Sequence, residues 1–256
     1  MSPSAPTSST LASPGSAHRE VSAAAQRLRV QYRRRVGVVL GGLGVALLGA
    51  IGVSLAVGAV AIPPGAVLAI LADQLGLSLP WTYEARHELV LTAIRLPRVL
   101  LAVVVGGGLA VSGAVLQGLF RNPLADPGLI GVSSGASLAA VVAIVLGSTL
   151  LGTWSDTLGA VLLPLAAFAG GIAATLVVYQ LATRRGRTSV TTMLLAGIAI
   201  NALAGAGTGL MIFIADDDQL RDLTFWTLGS LGGATWTQLA VVGPFLLGGM
   251  GAAPLL

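Results

Sequence analysis

Six stretches of this chain are long and apolar enough to cross a lipid bilayer as helices: residues 36–62, 97–119, 133–152, 158–182, 192–215 and 237–256. A membrane helix needs about 20 predominantly apolar residues to cover the hydrocarbon, and these stretches run from 20 to 27. Arg98, at the edge of the second, is the one charged residue in any of them. Composition agrees, with 55% apolar and 9% charged residues in 256, against about 25% charged in a soluble domain. No soluble fold of this size buries that much apolar surface. The sequence predicts an all-α polytopic membrane protein.

The remaining residues exclude several chemistries. There is no cysteine, hence no disulfide framework, thiolate metal site or cysteine nucleophile. All 14 basic residues are arginine. Without lysine there is no Walker A phosphate loop and no Schiff-base chemistry, so any dependence on ATP has to be met by another subunit. His18 lies in the N-terminal tail and His87 in a loop, which leaves no histidine for a metal site at membrane depth. An intramembrane enzyme needs a nucleophile–base pair or metal ligands in the spans, and the chain has neither.

Residues 1–35 read as a disordered, basic, cytoplasmic tail, Ser/Ala/Pro-rich over the first 26, with residues 36–256 as the membrane domain. A signal peptide is the alternative for the first apolar run. Its 27 uncharged residues exceed the usual core of about 7–15 in a signal, so a retained helix is favoured. Orientation follows from arginine asymmetry. With a cytoplasmic N-terminus, ten arginines fall inside (19, 27, 29, 33, 34, 35, 121, 184, 185 and 187) and four outside (86, 95, 98 and 221). Of the carboxylates, only Glu20 and Asp126 fall inside. With almost nothing ionisable deep in a span, a proton relay or voltage sensor is disfavoured.

Small residues recur every fourth position at Gly106, Ala110, Ala114 and Gly118, and again along Gly197, Asn201, Gly205 and Gly209. Such faces let helix backbones approach closely in lipid. They also suit the smooth wall of a passage, with Ser112, Gln117, Asn201 and Thr208 as sparse polar points. Between the second and third runs, the prolines of LFRNPLADPGLIGVSSGAS make Asn122 and Asp126 extended or turning. Ser133 or Ser134 is then expected to cap the third span, and Thr191 or Thr192 the fifth. The segment Leu223–Trp236 is apolar but too short to span, and reads as an interfacial or re-entrant helix broken by glycines.

RLPR, SGAVLQGLFRNPLADPGLIGVSSGAS, MLLAGIAIN and FWTLGSLGG together resemble the permease subunits of ABC importers of the FecCD type, which carry ferric siderophores, haem or cobalamin. The resemblance covers about residues 36–256. It implies a type II ABC importer permease fold of ten helices, about six of them present here. It implies a homodimeric, non-enzymatic subunit in the cytoplasmic membrane, without nucleic-acid partners. ATP and Mg²⁺ belong to separate ATPase subunits, and an extracytoplasmic binding protein delivers the cargo, a ferric siderophore before haem or cobalamin. Arg95 and Arg98 match outward arginines that pair with glutamates of the binding protein; interfacial snorkelling is their plainer reading. Asn122 and Leu124 in one loop, with Val190 and Thr191 in the other, match the cytoplasmic gate, although a hydroxyl residue is common where Val190 stands. No metal ligands are implied, and His87 as a haem ligand is disfavoured as a lone loop histidine. The family's cytoplasmic coupling segment has no counterpart in the sequence, so a shortened, transport-inactive permease or assembly partner is the alternative expectation.

Overall fold

Apolar helix dominates the chain because the spans identified above have no other way to satisfy their backbone in lipid. A computed structural model describes residues 14–151 and 154–253. The first 13 residues, and the side chains of His18, Arg19, Glu20 and Asp156, lie outside the described residues. The chain divides into two compact units, Met1–Leu91 and Thr92–Leu256.

In the first unit, helix α1 runs from Pro14 to Ala56. This departs from the expected disordered tail, and the reason is local. Ala, Arg, Gln and Leu dominate VSAAAQRLRVQYRRR, and these are strong helix formers with no proline to interrupt them. The helix also ends earlier than the apolar run, at Ala56 rather than residue 62. A second helix, α2 (Pro64–Asp73), was not anticipated. Its pre-set proline occupies the first turn, and it buries Ala66, Val67, Ala69 and Ile70. At ten residues it is too short to span. Gly65 lies under Trp81, whose ring would stand 3.2 Å from a β-carbon there. Tyr83 Oη donates to Asp73 Oδ2 at 2.5 Å, across the loop that follows α2.

A short helix α3 (Ala85–Leu89) continues through a π-helical stretch, Val90–Arg95, into α4 (Leu96–Phe120). Then follow a 3-10 turn (Pro127–Ile130), α5 (Val132–Leu151), α6 (Trp154–Ala182), α7 (Val190–Ile214), α8 (Asp217–Leu228) and α9 (Trp236–Ala252). Between α6 and α7 the strands β1 (Thr183–Arg184) and β2 (Arg187–Thr188) pair antiparallel, with Thr183 opposite Thr188 and Arg184 opposite Arg187. Arg185 and Gly186 both have positive φ, 52° and 75°, as a two-residue hairpin turn matching strand twist requires.

The second to sixth apolar runs therefore form helices close to their expected limits. Among the described residues, four helical segments are long and apolar enough to cross a membrane: Arg29–Ala56, Ala85–Phe120, Val161–Ala182 and Val190–Ile214. Their windows are at most 17% buried within the chain, which leaves most of their apolar surface uncovered by the chain itself. α5 and α6 approach each other closely at paired glycines. A β-carbon on Gly135 would stand 2.6 Å from the Gly170 carbonyl oxygen, and one on Gly170 would stand 2.4 Å from that of Gly135. The two anticipated small-residue faces are mostly open instead, with nothing within 4 Å of a β-carbon at Gly106, Gly118, Gly205 or Gly209.

Capping also differs in detail. Ser189 caps α7 by accepting from the Thr192 N–H at 3.3 Å, in place of Thr191 or Thr192. Ser134 turns its hydroxyl to the Gly131 carbonyl and to Asn201 rather than accepting from an N–H. The apolar segment after the aspartates starts its helix earlier than expected. Asp216 and Gln219 form a capping box, and α8 ends at Leu228 before Gly229, whose φ is +70°.

Candidate functional site

Polar chemistry in the second unit concentrates at the two ends of its helices. At one end lie the loop 121–131, the β1–β2 hairpin and the start of α7. These are joined by an apolar cluster of Ile130, Val178, Ala182, Met193 and Ala196, with Phe120, Val132 and Ile200 packed against it. The Asn122 side chain accepts from the Leu124 N–H at 2.9 Å, and Asp126 accepts from the Gly128 N–H at 2.7 Å. Two such side-chain turns, each ahead of a proline, fix the loop up to its 3-10 turn. Asp126 is extended, at φ −129° and ψ 141°, as its proline dictates. Leu124 projects outward, 83% exposed, while Ala125 beside it is buried.

α7 holds this loop from the other side. Gly197 lies so close that a β-carbon would stand 2.0 Å from the Leu129 carbonyl oxygen. One turn along, Asn201 Nδ2 donates to the Gly128 carbonyl at 3.1 Å, and its Oδ1 accepts from the Ser134 hydroxyl. One amide thereby ties α7, the loop and α5 together. Val190 and Thr191 begin α7 exposed, at the same end as Asn122 and Leu124. The four expected gate residues thus share one end of the bundle.

The opposite end is built from RLPR and the segment after α8. Arg95 closes the π-helical stretch and is buried, 8% exposed. A π segment shifts the register of a helix and is frequent at functional positions. Arg98 is exposed, and its Nη2 donates to the Gly232 carbonyl at 2.9 Å. Gly232 N–H donates to Ser230 Oγ at 2.9 Å, and Trp236 Nε1 donates to the Thr92 carbonyl at 2.9 Å. The glycine-rich turn between α8 and α9 therefore braces the start of α4. Sequence reasoning treated the two arginines as equivalent and missed this bracing segment, although FWTLGSLGG stood beside RLPR among the informative motifs.

The four expected pathway residues are not gathered. Ser112 returns its hydroxyl to the Gly108 carbonyl at 2.7 Å and lines an apolar cleft of about 510 Å³ between α4 and α9. Gln117 is exposed, Thr208 is half-buried, and the Asn201 amide is engaged by the loop. Among the described residues no hydrogen bond joins any two of the four.

Residues 46–256 match the FecCD transport family. The chain belongs to that family. Among curated relatives, it is 50% identical over 157 residues to the hemin transport system permease protein HmuU of Yersinia pestis, covering 60% of this chain and 45% of that protein. It is 40% identical over 169 residues to the cobalamin import system permease protein BtuC of Halobacterium salinarum, covering 66% and 42%. The vitamin B12 import system permease protein BtuC of Shigella boydii is 40% identical over 172 residues, covering 67% and 50%. The chain thus spans about half the length of the curated relatives it matches. A solved structure described as a metal-chelate type ABC transporter, in an inward-facing conformation, superimposes with TM-score 0.62 at 29% identity, over 82% of this chain and 59% of that one. The fold is that of an ABC transporter permease, helical and multi-pass.

Proposed function

We propose that this chain is part of the membrane permease of an ABC importer that carries an iron chelate, haem or cobalamin across the cytoplasmic membrane. The family match over residues 46–256 carries this reading. Within the class, the sequence resemblance favours a ferric siderophore, and the relatives named for haemin and cobalamin keep those cargoes alongside it. The chain makes and breaks no covalent bond of the cargo. Partner subunits bind ATP and Mg²⁺, and their different affinities for inward- and outward-open permease shift the populations of the two states. The N-terminus is cytoplasmic, and the partners are two ATPase subunits, an external binding protein and a second permease subunit.

In this reading the end carrying Asn122, Leu124, Val190 and Thr191 is the cytoplasmic gate. The end carrying Arg98 receives the binding protein. Arg98 is the better-placed contact because it is exposed, whereas the buried Arg95 supports the start of α4. Ser112, Gln117, Asn201 and Thr208 remain the proposed polar points along the route. The test is uptake into proteoliposomes holding the chain, partner ATPase and binding protein, with ferric siderophore, haemin and cobalamin compared. ATP-dependent accumulation of one of them, weakened when Arg98→Glu reverses charge at the docking surface, is the expected result. Correct insertion without uptake of any of the three would favour the transport-inactive assembly partner.

A further inference from the structure

We infer that the arginine cluster at the head of α1 is a binding site for anionic phospholipids, which it takes through their headgroup phosphates. Arg27, Arg29, Arg33, Arg34 and Arg35 fall within nine consecutive residues of one unbroken helix. The uncharged apolar helix Val36–Ala56 follows at once, within a span none of whose window is buried in the chain. Where α1 enters the hydrocarbon, Arg33, Arg34 and Arg35 therefore sit at the depth of the headgroups, with Arg29 and Arg27 about 9 and 12 Å beyond Arg35 along the axis. This placement rests only on α1 crossing the membrane, and is independent of what the permease carries.

Three observations favour lipid as the occupant. The charge is uncompensated: no carboxylate occurs in the sequence between Glu20 and Asp73. The ion pairs found among the described residues, Arg86–Glu84 and Arg221–Asp218, lie elsewhere. The charge also encircles the helix. At 100° per residue, Arg35, Arg29, Arg33 and Arg34 stand at about 80°, 200°, 240° and 340° from Arg27. A protein partner that reads a helix takes one face of it at i, i+3, i+4 and i+7 spacing; a collar fits a surrounding annulus of lipid. Finally, the surface is amphipathic along its length. Gln31, Arg34, Arg35, Val38 and Val39 line one shallow depression, pairing guanidinium donors with apolar surface in the order that phosphate and acyl chain present them. Guanidinium takes phosphate oxygens in pairs, and Tyr32, 71% exposed within the collar, has the amphipathic ring that favours this depth.

The experiment uses the full chain, stripped of lipid in detergent and titrated with phosphatidylglycerol or phosphatidylcholine, with bound lipid read by native mass spectrometry. Phosphatidylglycerol is expected to bind in preference to phosphatidylcholine. Each Arg→Gln exchange lowers that preference by up to about fivefold, and the variant with all five arginines as glutamine loses it. The corresponding five-lysine variant, which keeps the charge, retains it in part. Excess inorganic phosphate is expected to leave the lipid bound, because the acyl contact is not available to a free ion. Equal binding of the two lipids, an unchanged preference in the five-glutamine variant, or displacement of lipid by phosphate would each overturn the inference. Should the five-glutamine chain fail to insert, the double variant Arg34→Gln/Arg35→Gln decides it, and full phosphatidylglycerol preference there would equally overturn it.

Discussion

At the scale of single residues, space around each glycine separates packing from decoration. Gly197 and Gly205 lie two turns apart on the same helical row, and the sequence gives no ground for ranking them. The structure does: a β-carbon on Gly197 would stand 2.0 Å from a backbone oxygen, whereas Gly205 has nothing within 4 Å. Gly197→Ala is therefore expected to cost about 1–3 kcal/mol through overpacking, and Gly205→Ala to be neutral or slightly stabilising as a better helix former. Thermal unfolding of both variants in detergent checks this, and equal midpoints would refute the ranking. Tyr83 supplies a second residue-level test. Its hydroxyl donates to Asp73, and that bond, with the nearby carboxylate charge, pushes its pKa up from 10.0 to about 12. A phenol whose pKa is raised in the fold adds stability below its unfolded pKa, near pH 10. That stability is lost as pH rises from there towards 12. Absorbance titration should show one tyrosine ionising late, and Asp73→Asn should return it to the ordinary range. Neither partner could be paired from sequence, because ten positions of loop and helix end separate them.

Among the elements, the helices were legible and most of the contacts between them were not. Hydropathy located the second to sixth runs closely because lipid demands a minimum apolar length, which leaves a plain mark in the sequence. The proline-bearing loop was legible too, since proline restricts the residue before it whatever the tertiary context. Asn201 was read as a polar point on a passage wall because a helical wheel shows the face of a residue and not what approaches it. The structure brings the loop to that face, and the amide bonds Gly128 and Ser134. Asn201→Leu would leave a carbonyl and a hydroxyl without this partner, at a cost of about 1–3 kcal/mol. The loop should loosen accordingly. Since the chain has no cysteine, Ala125→Cys reports on it directly, being buried at 7% exposure beside the outward Leu124. Maleimide should label Ala125→Cys faster in the Asn201→Leu background, while Leu124→Cys reacts at the same rate in both. An unchanged rate at residue 125 would mean that Asn201 does not hold the loop.

For the whole molecule, the decisive question is which end of the bundle faces the cytoplasm. α7 has 25 residues, about 37 Å of helix at 1.5 Å per residue, which exceeds a hydrocarbon core of about 30 Å. The hairpin at its start and the aspartate cluster after its end must then lie on opposite sides of the membrane. Arg121, Arg184, Arg185 and Arg187 lie on the hairpin side, where an apolar cluster joins both loops. The other side holds Arg86, Arg95, Arg98 and Arg221, the last paired with Asp218 at 3.1 Å, among four aspartates at 216, 217, 218 and 222. The loops alone thus balance, and the bias comes from Arg27, Arg29, Arg33, Arg34 and Arg35, which two crossings, α1 and α4, put on the hairpin side. Arginine retained in short loops marks the cytoplasmic side, and carboxylates contribute little to that choice. The hairpin end is therefore expected inside and α8 outside, the arrangement that the roles proposed for Arg98 and Leu124 require. The cysteine-free background makes the measurement clean. Single cysteines at Arg185 and Asp217 are exposed to a membrane-impermeant maleimide, first on intact bacterial spheroplasts and then on inverted vesicles. Asp217→Cys should react only in spheroplasts and Arg185→Cys only in inverted vesicles. Labelling of both from one side would break the span assignment of α7. A clean exchange of the two patterns would keep the fold and invert the roles proposed for its two ends.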